Sequence, residues 1–524
     1  MLRLWGPVLA ISVLCVGTAL LLWSRINGHR TPIERIARLA QIGEFEKAER
    51  LSWQILRAHP TDLETWIRFI DMHAALHRGG NEEDLASDNV ITSSVSESAI
   101  QKLLAQIGNA EVATLASYWY EARSGTAKPN AARVTALADA PRPARLANYL
   151  LARTAMLTED WATGARRFER EGLAFPKQGR RNLRHALSIW IDHDAWDEVR
   201  KRSHDRRYAG VWDGRFRLEL ATHDRDWPVI LLWCWAAGFV NVQAWPVALA
   251  ILAAVLWFII AARLGRIGDS VPGRRPLYAL AFILGIASIY PTILVITIEE
   301  SIFGLKLLDQ PVPDAIYFIF GVGLREEASK LLLFLPLLPA LLRRGSRIEA
   351  MTCGALVGLG FAAEENISYF HTMAAGAALS RFLTANFLHM SLTALVALSV
   401  YDTKRGRATS RDGFNVVFPL AVFIHGIYDF FLSSADLPGF SIFSMALFII
   451  IARQFLRQLL VASSRQEEQG ALRLLVASLT LLTGVSYIYA TTLVGPLSAL
   501  SLISIGLIGN AIVIYMFVRE LGPA

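Results

Sequence analysis

From residue 228 onward the chain is a succession of apolar runs at or near bilayer-spanning length, and several of them carry ionisable residues inside the run. Crossing a bilayer takes about 20 apolar residues in a helix. Water is absent at that depth, so every backbone N–H and C=O must be satisfied internally, and runs of this length select helices. The runs fall near 229–243, 246–262, 277–298, 314–342, 350–371, 381–401, 415–433, 438–457, 472–493 and 497–518, and a further one covers 4–23. The expected fold is an all-α, multi-pass transmembrane helix bundle of about 10–11 spans with an N-terminal soluble α-hairpin repeat domain. Composition agrees: 53% of the 524 residues are hydrophobic and 19% charged, where a soluble chain is nearer a quarter charged. Mean hydropathy is +0.37, too high for a row of soluble domains or a disordered chain.

The formal net charge of +7 does not call for a nucleic-acid partner, because the bases have a simpler place in short loops between spans. Arg263, Arg266, Arg274 and Arg275 mark one side. Arg343, Arg344 and Arg347, then Lys404, Arg405, Arg407 and Arg411, then Arg453, Arg457, Arg465 and Arg473 share it. The alternate loops are poor in bases, so the rich loops are expected in the cytoplasm. The chain is expected in the cell (inner) membrane. Arg25, Arg30, Arg35 and Arg38 outnumber Arg3 across the first apolar run, and 229–262 reads as a hairpin turning at Asn241–Pro246, which favours a cytoplasmic 25–227. Cys15, Cys234 and Cys353 lie far apart in apolar runs and form no disulfide framework.

Five segments follow. Residues 1–24 read as an uncleaved anchor helix. Residues 25–227 are charged, Arg-rich and helical in period, and resemble tetratricopeptide repeats. Gly43, Phe45, Ala48 and Pro60 stand at the second-helix spacing, with Trp66 at the next repeat's Trp. Trp161, Gly164, Phe168 and Pro176 repeat the frame, and Trp196 opens another copy. Residues 79–97 read as a polar loop. A repeat domain of this kind can serve a protein or peptide partner. Residues 228–276 form a transmembrane hairpin and basic loop, 277–433 a polar membrane core, and 434–524 the C-terminal transmembrane helices.

Charged groups at bilayer depth cost roughly 2.5 kcal/mol or more each, even on lenient scales. Four successive spans accept that cost. They carry Glu326, Glu327 and Lys330; Glu364, Glu365 and Asn366; His389; and His425 with Asp429. Glu326 and Lys330 are i,i+4, as are His425 and Asp429, so each pair shares a helix face. Phe361 and Glu365 do the same. A buried pocket is the economical explanation, and the side chains of Glu326, Glu365, His389 and His425 are expected within about 10 Å of one another. Such a pocket suits a hydrolase: Glu326 takes a proton from water while imidazole and amide groups hold the water or an oxyanion. No GxSxG or HExxH occurs. A metal site, with zinc the ion considered, can still be assembled from His389, His425, Glu365 or Asp429.

At these residues the sequence resembles a known family. EEASK at 326–330, Phe361 with Glu365-Asn366, His389, and HGIYD at 425–429 are similar to the successive motifs of PrsW-type intramembrane proteases. These are distant relatives of the CAAX prenyl endopeptidase and of bacteriocin-processing membrane proteins. The resemblance covers about 277–433. It implies hydrolysis of a peptide bond in a membrane-anchored protein substrate, with anti-sigma factors as the associated class, and the family is often labelled a metalloprotease. It further implies that Glu326 activates water, Glu327 supports it, and His425 with Asp429 polarises or positions. Where the CAAX relatives carry His in a Phe-x-x-x-His motif, this chain has Glu365.

Two other readings fit the same residues. One is a secondary transporter or proton relay built on the Glu/His/Asp cluster. It predicts a repeated half; no HxxxD pattern occurs in 438–518, and the EE pair there, Glu467-Glu468, lies between apolar runs rather than inside one. The other is a non-catalytic membrane scaffold.

Overall fold

The computed structural model describes residues 2–29, 31–41, 45–78, 95–125, 130–234, 244–372, 377–433, 440–462 and 468–521. Among them the regular elements are helices, and no strand occurs. Contacts divide the chain into two compact units: Met1–Trp23 with Ala221–Ala524, and Ser24–Leu220.

The Ser24–Leu220 unit is built of short helices, from 8 residues in Trp196–Ser203 to 17 in Pro176–Asp192. Capping side chains start several of them. Asn109 accepts from the N–H groups of Glu111 and Val112 at 3.0 and 3.1 Å, and Asp160 from Thr163 at 3.1 Å, satisfying donors that have no partner in the first helical turn. Trp66, Phe69 and Trp119 are fully buried in one apolar cluster, and Leu187, Trp190 and Tyr208 in another. Ala48 and Phe168 are buried, while Trp161 is half-buried and stacks on His193 at 4.6 Å. Pro176 opens the helix Pro176–Asp192, a position where its missing N–H costs nothing. Gly43 and 79–94 of the expected polar loop lie outside the described residues, and Glu97 already begins the helix Glu97–Ala105. Arg202 ties this end of the unit together. Its guanidinium meets Glu169 at 2.8 and 2.7 Å and Glu198 at 2.6 Å, lies 3.6 Å from the Trp190 ring centroid, and Tyr208 donates to Glu169 at 2.5 Å.

The other unit is a multi-pass membrane protein. Among the described residues, seven helices are long and apolar enough to span: Gly6–Ile26, Ala244–Leu264, Arg274–Glu300, Ala378–Lys404, Phe414–Ser433, Ser441–Leu459 and Gly470–Val494. Pro496–Gly509 and Ala511–Leu521, bent by 56°, make an eighth if they are one span. This is fewer than the apolar runs suggest, for physical reasons. The helices carrying Glu326 and Glu365 hold too many charges to pass on composition. Of the run 229–243, Trp227–Trp233 is helical and 235–243 lies outside the described residues. The expected turn at Asn241–Pro246 is corrected at its end, since Ala244–Pro246 form the first turn of Ala244–Leu264. Large apolar side chains such as Leu14, Phe320, Phe423, Ile450 and Ile505 point outward, as a lipid-facing surface requires.

Ion pairs join the loops rich in bases. Arg274 and Arg344 both hold Glu349, at 2.8 and 2.5 Å, Arg347 holds Asp402 at 2.7 Å, and Arg405 donates to the carbonyl of Leu342. At Gly358 an added methyl would run into the backbone carbonyl of His389, and at Gly426 into the backbone of Ile319 and Phe318. The helices bearing the ionisable residues therefore meet backbone to backbone.

Candidate active site

The run Pro311–Arg344 is not one straight helix. Pro311–Ile316 is α-helical, Tyr317–Gly323 winds as a π-helix, and Leu324–Phe334 resumes the α-helix that carries Glu326, Glu327 and Lys330. Wider π turns are rare and occur often beside functional groups. A 3₁₀ turn at Leu335–Leu337 then leads into Leu338–Arg344, where Pro336 and Pro339 remove backbone donors.

Lys330 is fully buried and is the hub of the cluster. Its Nζ lies 3.3 Å from Glu326 Oε2, 2.9 Å from Glu327 Oε1 and 2.8 Å from His389 Nδ1, with the Phe361 ring centroid 4.1 Å away. An ammonium only donates, so His389 Nδ1 is an acceptor and its Nε2–H faces Glu365 Oε2 at 3.1 Å. His425 is held from the other side. Its Nδ1 meets Glu327 Oε1 at 2.9 Å, and since a carboxylate only accepts, that nitrogen carries the proton. Nε2 of His425 then faces Glu326 Oε2 at 3.5 Å and Asp429 Oδ2 at 3.4 Å. The two imidazoles stand edge to face, 5.0 Å between centroids.

Glu326, Glu327, Lys330, Glu365, His389, His425 and Asp429 thus form one connected polar network inside the bundle. Asn366 is joined to it indirectly. Its Oδ1 accepts from Arg381 Nε at 2.6 Å, and Arg381 Nη2 binds Glu365 Oε2 at 2.9 Å. Glu364 is half-buried and joins none of these contacts. Sequence reasoning does not single out Arg381, which also lies over the Tyr369 ring at 3.8 Å. Its sequence signal is that of a lone base at the mouth of the span 381–401, on the side otherwise poor in bases. Asn386, which accepts from Asn366 at 2.6 Å, is the other missed member.

One face of the network borders a cavity of about 430 Å³, lined by Glu365, Arg381, His389, His425, Tyr428 and Asp429 together with apolar residues such as Leu388 and Phe448. This is the size and mixed lining of a ligand site.

The residues also suit a metal ion. Glu326, His389 and His425 each offer one ligand atom, and these atoms lie within 4.8 Å of one another. Both imidazoles are backed by a carboxylate, His425 by Glu327 and His389 by Glu365, the arrangement that orients histidine ligands; the other nitrogen of His389, Nδ1, meets Lys330 Nζ at 2.8 Å, a contact that a bound ion would replace. Of the residues read from sequence as possible ligands, His389 and His425 belong to this group. Glu365 stands behind His389, Asp429 faces the same Nε2 of His425 that faces Glu326, and Glu326 is the carboxylate of the group.

Acids, imidazoles and a lysine converge in the interior of a membrane bundle, beside a cavity, an arrangement suited to hydrolytic chemistry. Residues 273–453 match the model of the PrsW family intramembrane metalloproteases. No curated protein and no solved structure matches the chain.

Proposed function

We propose that the protein is an intramembrane endopeptidase that hydrolyses a peptide bond of a membrane-anchored protein, with Glu326 as the base that activates water. One observation carries the reading: the carboxylates and imidazoles of four helices form a single network whose open face is the wall of the 430 Å³ cavity. A substrate strand seated there places its scissile carbonyl against His425 and His389. Glu326 takes a proton from water as the oxygen bonds to the carbonyl carbon. The developing oxyanion is met by donors on the cavity wall, of which the Arg381 guanidinium is the strongest. Collapse of the intermediate breaks the C–N bond, and the proton held by Glu326 passes to the leaving amine. Glu327 and Lys330 act on position and charge: Glu327 holds His425, and Lys330 holds His389 and balances the acids.

A divalent ion held by Glu326, His389 and His425 would supply Lewis acidity and lower the pKa of its water. On the charge distribution of the loops, the basic ends face the cytoplasm of a cell (inner) membrane, and anti-sigma-type anchors are a fitting substrate class. The test is comparative proteomics of membranes from cells carrying the wild type and Glu326→Gln. New internal N-termini within or beside membrane segments should disappear in the variant. Unchanged termini, at equal expression, would remove Glu326 from the chemistry. A cavity bordered by the network, with no second HxxxD pattern in 438–518, favours hydrolysis over transport.

A further inference from the structure

The cavity beside the network has a second wall, for which the hydrolytic chemistry has no use. The helix Ser441–Ala462 presents Ser441, Ser444, Met445 and Phe448 to it, spaced i, i+3, i+4 and i+7 and so on one helix face. The span Ala378–Lys404 presents Thr384, Ala385 and Leu388 on the turns before His389. None of these side chains is ionisable.

Contacts fix the depth of this wall. Phe448 is fully buried and meets Phe387 edge to face, 6.2 Å between centroids. Leu388, also buried, directly precedes His389. Both therefore lie at the level of the His389 imidazole, as an apolar floor. Ser444 is one helical turn from Phe448. It donates to the carbonyl of Tyr428 at 2.7 Å, which places it level with Asp429. The hydroxyls of the wall are already engaged, since Thr384 donates to the Ser380 carbonyl at 2.9 Å. What Ala385 and Ser444 give is room, because a longer side chain at either position would enter the cavity. Met445 is half-buried, and its unbranched chain adapts to what it meets. The nearby acids are turned elsewhere: Asp429 Oδ2 faces His425 at 3.4 Å, and Glu365 is held by His389 and Arg381.

We propose that Ala385, Ser444, Met445 and Phe448 form the specificity pocket of the reaction. They receive the substrate side chain next to the scissile bond and select an apolar residue of the size of Val, Leu, Ile or Met. The inference rests on the endopeptidase reading. An acidic side chain in the pocket would lie near Asp429 and Glu365 with no free hydroxyl to meet it. A lysine or arginine would bury its charge against Leu388 and Phe448. Glycine or alanine would leave the space over Phe448 without contacts, and tryptophan would run into the floor.

The experiment maps new N-termini in membranes of cells that carry the full-length wild type, Ser444→Leu, Ala385→Leu, Met445→Ala or Glu326→Gln, the last giving the background. At one of the two positions flanking the Glu326-dependent cleavages, Val, Leu, Ile and Met should predominate. Ser444→Leu and Ala385→Leu should shift that position toward Gly and Ala, and Met445→Ala toward Phe and Tyr. Each shift should be roughly tenfold in the ratio of large to small residues, the discrimination that a methylene or two gives in an apolar pocket. A merely structural role would lower all cleavages alike and could not produce opposite shifts from filling and enlarging variants. Met445→Ala alters a half-buried side chain and should fold, which equal membrane levels check. A flat residue preference at both positions, a preference for charged residues, or a preference unmoved by Met445→Ala with cleavage retained would overturn the pocket and leave the peptidase reading standing. So would loss of cleavage by all three variants at equal membrane levels, which would make the wall structural. No Glu326-dependent termini in the wild type would remove the peptidase reading, and the pocket with it.

Discussion

Glu327 presents one carboxylate oxygen to Nδ1 of His425 at 2.9 Å, across two helices that are 98 residues apart in sequence. The same oxygen lies 2.9 Å from Lys330. This contact fixes which nitrogen of His425 is free to face Glu326 and the cavity. Glu327→Gln keeps the shape but removes the charge, and cleavage should fall roughly 10–100-fold, the range seen when the partner behind a functional histidine is lost. Glu326→Gln should remove cleavage entirely. Both are read as loss of internal N-termini in membrane proteomics, at matched expression.

Gly358 tests the packing rather than the charges. A methyl there meets the carbonyl of His389, and overpacking of this kind costs about 1–3 kcal/mol. Gly358→Ala should lower cleavage while leaving every polar side chain in place. Cysteine cross-linking between the two helices should report their displacement. Full activity in this variant would mean that the His389 helix is free to move without consequence.

Metal content separates two forms of the chemistry. If an ion is held by Glu326, His389 and His425, purified protein should carry about one zinc per chain. His425→Ala and His389→Ala should lose it, and chelation should stop cleavage until zinc is restored. Metal-free protein with full, chelator-resistant cleavage would leave Glu326 acting on water unaided.

The helical unit should be acid-sensitive. Hydrogen bonds from Arg167 hold the Asp139 carboxyl below its usual range, those from Lys201 and Arg202 do the same for Glu198, and that from Arg207 for Asp205. A depressed folded pKa contributes stability above the unfolded value, about 4, and that stability is lost as pH falls through the folded value. The thermal midpoint of this unit should fall between about pH 5 and pH 2, and high salt should flatten the dependence. Arg202→Lys, which loses the two-pronged hold on Glu169 and the stack on Trp190, should cost about 2 kcal/mol.

Much of the site is legible in the sequence because helix spacing is short-range physics. The pairs Glu326–Lys330 and His425–Asp429 follow from i,i+4 geometry, and the cost of charge in lipid argues that the four helices share one pocket. What is not legible depends on how helices meet. Lys330 reaching His389, and Glu327 rather than Asp429 holding Nδ1 of His425, are set by the backbone approaches at Gly358 and Gly426. Arg381 does not stand out in the sequence, because an arginine at a span end reads as an interface anchor until Glu365 is placed beside it. The bend between Pro496–Gly509 and Ala511–Leu521 has no proline at the break, so an apolar run there reads as continuous.

The widened coil at Tyr317–Gly323 has its own consequence. An α-helix advances about 100° per residue, so the acids downstream owe their bearing to how many residues are wound into that stretch. Rewinding the same 7 residues as an α-helix, with none removed, would carry Glu326 and Glu327 around the helix axis away from His425, with every acid, base and imidazole still present. In this protein the aim of Glu326 and Glu327 is kept by a length of backbone that contains no polar side chain beyond one tyrosine hydroxyl.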